Sequence, residues 1–257
     1  MVDVTAPASP QIKATFKPTF FFWMTVALAV VIFGGFGISY WQPMASGNLR
    51  PLSPVVHLHG LFYFAWMVLL MVQSGLVGSG NIALHRTLGT MGISIATGLV
   101  IFAAVISVVN IAASLELGPD PFLFQLNYLN VVAIVGFTIL FIMAIRKVRQ
   151  ADYHRRYILL ATIAFIGAGI NRFYVFMFDV PFAPFWFLYF VSDLFIAAIV
   201  LHDWKTLGKL HPATITGGAI VVALQVSQWP LAGTAAFESL TYWLAGLAGY
   251  TMVLPPA

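Results

Sequence analysis

The 257-residue chain contains no cysteine, which excludes disulfides, thiolate metal sites, iron–sulfur clusters and thioether-attached haem. Any metal must therefore be held by histidine, carboxylate or backbone oxygen. Charge is nearly as scarce: Asp, Glu, Lys and Arg make up 8% of residues, against about 25% in a typical soluble domain. With 61% hydrophobic residues and a mean hydropathy of +0.94, too little polar surface remains for a water-soluble fold. A nucleophile elbow, a phosphate loop and a metalloprotease helix are also missing, so none of the activities read from those motifs is indicated. The net charge of +4 does not point to nucleic acid, because the basic residues sit at the ends of apolar runs.

What is present is long apolar sequence. A membrane-crossing helix needs about 20 mostly apolar residues, and such runs occur at Phe20 to Trp41, Val55 to Val77, Gly89 to Ala113, Gln125 to Ile145, Tyr157 to Phe178, Ala183 to His202 and Ala213 to Trp229. The expected fold is an all-α membrane bundle of seven transmembrane helices. Residues 1–19 form an N-terminal segment, 20–233 the bundle, and 234–257 a short C-terminal interfacial helix and tail. Glu238, Ser239, Thr241 and Tyr242 near the start of that last run favour an interfacial helix, with an eighth span as the alternative. The first apolar run exceeds the 7 to 15 residues of a signal-peptide core, so it reads as an uncleaved anchor.

Basic residues are distributed unevenly over the turns. Lys13, Lys17, Arg86, Arg146, Lys147, Arg149, Arg155, Arg156, Lys205 and Lys209 fall on one side, and Arg50 alone on the other. This asymmetry predicts a cytoplasmic N-terminus in a bacterial inner membrane.

Against that apolar background, the six histidines and the few intramembrane polar groups carry the functional signal, since ionisable groups inside a bilayer are costly and mark function by default. Depth assignment gathers His57, His59, Asn110, Asn127, Asn130, Asn171, Arg172 and Asp193 in the outer half of the bundle. Arg172 with Asp193 is the expected ion pair. His59, Tyr63, Trp66 and Gln73 follow one another at helical spacing and form a stripe on the second span that should face the interior. His57 and His59 together are candidate metal or cofactor ligands, with Pro54 upstream as the helix start.

On the inner side, His85-Arg86 precedes the third span and His154-Arg155-Arg156 the fifth, at an offset of 69 residues. The parallel suggests a duplicated two-helix unit. It predicts that His85 and His154 meet across a shared inner site with His202 and Asp203. Headgroup anchoring of the basic residues is the competing explanation.

The set His57-Leu-His59-Gly60, Trp66, Gln73, His85-Arg86-Thr-Leu-Gly89, Asp152-Tyr-His154-Arg155-Arg156-Tyr and Asn171-Arg172 resembles a group of uncharacterised bacterial polytopic integral membrane proteins, over roughly residues 50 to 175. It is more loosely similar to transmembrane b-type di-haem cytochromes, in which paired histidines on neighbouring helices ligate a haem near each membrane face. That likeness implies haem b at His85 with His154, and at His57 or His59 with an outer partner. No second outer histidine occurs on another span, which favours one site over two.

Three functions compete on these grounds. The first is a haem- or metal-binding redox protein in electron transfer, with Arg172 set against a propionate or quinone oxygen. The second is an accessory subunit or assembly factor of a larger respiratory or photosynthetic membrane complex. The third is a transporter or zinc-dependent intramembrane hydrolase using His57, His59 and Asp193.

Overall fold

A computed structural model describes residues 16–250 of the chain. The expected segments 1–15 and 251–257 lie outside the described residues, as does Lys13. Every regular element among the described residues is helical: α1 (Phe20–Ala45), α2 (Pro54–Gly78), α3 (Ile82–Glu116), α4 (Pro121–Arg146), α5 (Ala151–Phe178), α6 (Phe185–Leu207), α7 (Pro212–Leu231) and α8 (Ala235–Leu247). The first six are each long and apolar enough to cross a membrane. α7 and α8, joined through a 99° bend, pass the same test only as a pair and make a seventh if that pair is one span. At 13 residues, about 20 Å long, α8 is too short to span a hydrocarbon layer of about 30 Å. Among the described residues α8 therefore does not make an eighth span.

Local chemistry sets the helix starts. Thr19, Asn81 and Asp120 accept hydrogen bonds from Phe22, Leu84 and Phe122 backbone N–H groups at the heads of α1, α3 and α4. Pro54, Pro121 and Pro212 open α2, α4 and α7, where a missing N–H does no harm. Gly208, at φ 67°, closes α6, a conformation only glycine adopts freely.

α5 is the central helix, packing against α1, α4, α6 and α7. Leu28, Ile32, Met67, Leu140, Leu160 and Ile166 are fully buried around it. Val30, Leu61, Leu194, Leu201 and Phe190 are exposed instead, the pattern of side chains that face lipid. Exposed tryptophans mark both ends, with Trp23 and Trp204 at one and Trp41, Trp186, Trp229 and Trp243 at the other, as in the aromatic belts of membrane proteins. The turns rich in Lys and Arg lie at the Trp23 and Trp204 end, called the basic end below.

Two helices are irregular. α1 passes through a π-helical stretch at Gly37–Trp41, and α5 breaks between Ile163 and Gly167. The two irregular helices cross very closely near those points. A Cβ on Gly35 would lie 2.5 Å from the Gly169 carbonyl oxygen, and one on Gly169 would lie 2.8 Å from that of Val31. Small residues let two membrane helices approach backbone to backbone.

Candidate functional site

The stripe on α2 faces the bundle interior. Tyr63 and Trp66 are buried at 4% and 3% exposure, and both read the broken stretch of α5. The Tyr63 hydroxyl donates to the Phe165 carbonyl (3.3 Å), which the break frees from regular helix bonding, and Trp66 Nε1 donates to Thr162 Oγ1 (3.2 Å).

At the end opposite the basic turns, a chain of contacts runs from His59 through Tyr63 and Phe36 to Arg172. His59 stacks on Tyr63 with ring centroids 6.0 Å apart. Tyr63 meets Phe36 at 5.7 Å. The Arg172 guanidinium lies 3.7 Å over the Phe36 ring centroid, and its Nη1 donates to the Ala168 carbonyl one turn back at 2.8 Å. Arg172 is close enough for its charge to act on both His59 and Tyr63. His59 Nδ1 is buried and has no hydrogen-bond partner.

The expected Arg172–Asp193 ion pair does not form. The tight Gly35–Gly169 crossing holds the Arg172 Cβ 3.3 Å from the Cβ position of Gly35, so the side chain is delivered to α1 rather than α6. Asp193 faces Gln225 of α7 and keeps a buried, unpartnered Oδ1. Close by, Tyr189, Ser192 and Gln225 line a cavity with the broken stretch of α5.

The rest of the outer constellation is dispersed. Asn171 Oδ1 accepts from the Ala183 N–H (2.8 Å) and pins the α5–α6 turn. Asn110 is exposed, Asn130 half-buried and Asn127 buried with an unpartnered Nδ2. His57 is exposed, its Nδ1 2.6 Å from the Tyr40 hydroxyl. His57 and His59 thus have different neighbours, and among the described residues no three His, Asp or Glu side chains gather into a metal-binding set.

At the basic end, His85 at the start of α3 and His154 at the start of α5 lie within electrostatic range of each other. His154 Nδ1 sits 3.0 Å from the Ala144 carbonyl. A carbonyl only accepts, so Nδ1 carries the proton, and the neutral imidazole has its lone pair on Nε2. His85 Nδ1 is buried without a partner, as are both side-chain polar atoms of Gln73. The Gln73 amide rests against α3 one turn beyond His85, with its Nε2 3.9 Å from the Cβ position of Gly89.

His202 and Asp203, expected at the same site, belong elsewhere. His202 stacks on Phe20 at 4.0 Å and meets Phe21 edge-on. Asp203 is fully buried and receives the Arg156 guanidinium, the Thr214 hydroxyl (2.5 Å) and the His211 N–H (3.1 Å). Arg156 Nη1 also donates to the Asp152 carbonyl (2.9 Å). This Arg156–Asp203 pair is the main ionic feature that sequence reading missed, because Arg156 looked like one more headgroup anchor. The available signal was that, of the eight acidic residues, only Asp152 and Asp203 fall in the basic turns between apolar runs, Asp3 being in the N-terminal segment.

His211 lies in the α6–α7 turn, capping α7 by accepting the Ala213 N–H at Nδ1 (3.1 Å). Burial, and then the neighbouring Arg156 charge, hold its imidazole below the usual histidine range.

No protein-family model matches the chain, and no curated protein or solved structure matches it either.

Proposed function

We propose that the protein is a multi-pass redox protein of a bacterial inner membrane, with its basic end in the cytoplasm, that carries a b-type haem between His85 and His154. The observation that carries this reading is the paired imidazoles at one depth on α3 and α5. His154 is oriented by a backbone carbonyl with its Nε2 lone pair available, and His85 beside it has a buried ring nitrogen with no partner. Fixing one ring nitrogen on a carbonyl is how proteins orient metal-ligating histidines. His85 and His154 would hold a haem iron through one ring nitrogen each, whereas zinc takes three or four protein ligands. Gln73 supplies a polar group at the rim. The ten-to-one distribution of basic residues supports the cytoplasmic assignment of this end.

The test is an absorption spectrum with haem extraction and metal analysis, on full-length protein purified from membranes of haem-supplied cells. The wild type should show a Soret band that shifts on reduction. His154→Ala and His85→Ala should lose it, while His57→Ala and His59→Ala keep it. A colourless, metal-free wild type overturns the reading.

A further inference from the structure

Among the described residues Arg172 is a cation without a counterion. Its guanidinium offers five N–H donors, and the contacts around it are the Phe36 ring and the Ala168 carbonyl of its own helix. Among the described residues, no carboxylate lies within ion-pair distance of it. Its ionisable neighbours, His59 and Tyr63, bring no negative charge. Tyr63 is occupied by the Phe165 carbonyl, and His59 keeps a buried, unpartnered Nδ1. The arrangement is built on the π-helical turn of α1, the break in α5 and the glycine crossing between them.

Charge neutrality in a medium of low dielectric calls for an anion here. Depth indicates what kind. Arg172 lies six residues from the end of α5 at Phe178, and His59 five residues inside the start of α2 at Pro54, so both sit roughly 8 to 9 Å below the helix ends. A long guanidinium side chain spans much of that distance toward the headgroup layer. Trp41 on α1 and Phe176 and Phe178 toward the end of α5 are exposed at the same end of the bundle. That surface suits glycerol and acyl chains.

We propose that Arg172, assisted by His59, binds a phosphate oxyanion, supplied by an anionic phospholipid of the leaflet opposite the basic turns. The site lies at the other end of the bundle from His85 and His154, so its test does not depend on haem.

The experiment is native mass spectrometry of the full chain, delipidated in detergent and titrated with phosphatidylglycerol, with inorganic phosphate as competitor. The wild type should retain one phosphatidylglycerol at least about tenfold more tightly than Arg172→Gln, the difference expected for charge-assisted hydrogen bonds. Arg172→Lys, which keeps the charge but loses the planar fork, should fall between them. Arg50→Gln at the same end should behave as wild type. Displacement by inorganic phosphate would assign the site to free anions, and resistance to it would assign the site to lipid. Should Arg172→Gln fail to fold, Arg172→Lys and His59→Ala carry the same readout. Equal retention by the wild type and all folded variants overturns the proposal.

Discussion

Two arginines on α5 differ in almost everything but their helix. Arg156, at 1% exposure, has its charge balanced by Asp203, and Asp203 in turn takes a hydroxyl from α7 and a backbone N–H from the turn before it. Arg172, four and a half turns later, rests on an aromatic face and its own helix backbone. The first ties α5, α6 and α7 together through a carboxylate that is itself fully buried. The second has one backbone carbonyl and one aromatic face as partners for a guanidinium with five donors. A completed network is architecture; an uncompleted one of the same chemistry marks a place for a ligand.

The largest effect expected from breaking this contrast is at the completed pair. Asp203→Asn or Arg156→Gln should destabilise by about 3 to 5 kcal/mol, because each leaves its partner buried and uncompensated. The double variant Arg156→Met with Asp203→Leu should recover most of that loss. Truncating Arg172 in lipid-stripped protein should change stability by less than about 1 kcal/mol, since no partner is stranded. Thermal or denaturant unfolding in detergent separates the cases, and equal losses at the two arginines would erase the distinction.

An intermediate effect is expected at the crossing that aims Arg172. Gly35→Ala places a methyl group 2.5 Å from the Gly169 carbonyl oxygen, and overpacking of this kind costs about 1 to 3 kcal/mol. It should also weaken phosphatidylglycerol retention, because it moves the Arg172 stem. A variant that melts and binds as wild type would show that the crossing does not position the arginine.

The smallest effect is at His211. Its imidazole titrates below the ordinary value of 6.5 when folded, so below about pH 6.5 the unfolded chain takes up a proton that the folded chain resists. Stability contributed by this cap is therefore present at neutral pH and declines as the medium is acidified. Melting temperatures from pH 7.5 to 5 should fall less steeply in His211→Asn, which keeps a capping oxygen and does not titrate. An identical slope in both proteins would remove His211 from the account.

The spans were legible because composition and length suffice to mark helices in lipid, and every expected run lies on a helix apart from Ala183 and Pro184, which precede α6. The starts of α1, α2, α4 and α7 fall within four residues of the expected ones, whereas α3 begins at Ile82, seven residues before the expected Gly89. The interior stripe of Tyr63 and Trp66 followed from helical spacing alone. The partner of Arg172 was not legible, because depth along a helix does not fix its azimuth. The close approach of Gly35 and Gly169 rotates Arg172 toward α1, and nothing in the spacing of either glycine announces that encounter. The break in α5 was equally hidden, since Ala164 to Ile166 are ordinary residues for a helix. His85 and His154 stood out because two matched motifs at one depth carry information about neighbourhood that a single residue does not.

The lengths of α2 and α3, 25 and 35 residues, have a consequence for the shape of the protein. Phe62 packs over Gly98 and against Phe102, which sets the two helices in a register where α3 outruns its hairpin partner by about ten residues. The overhang does not dangle. Ile111, Ala112 and Leu115 close on Phe124 of α4 and Ala245 of α8, making a miniature dry kernel beyond the start of α2. The molecule is thus lopsided, nearly flush where the short basic turns lie and domed on the far face. The strap formed by α8 shelters that dome as a roof shelters a post.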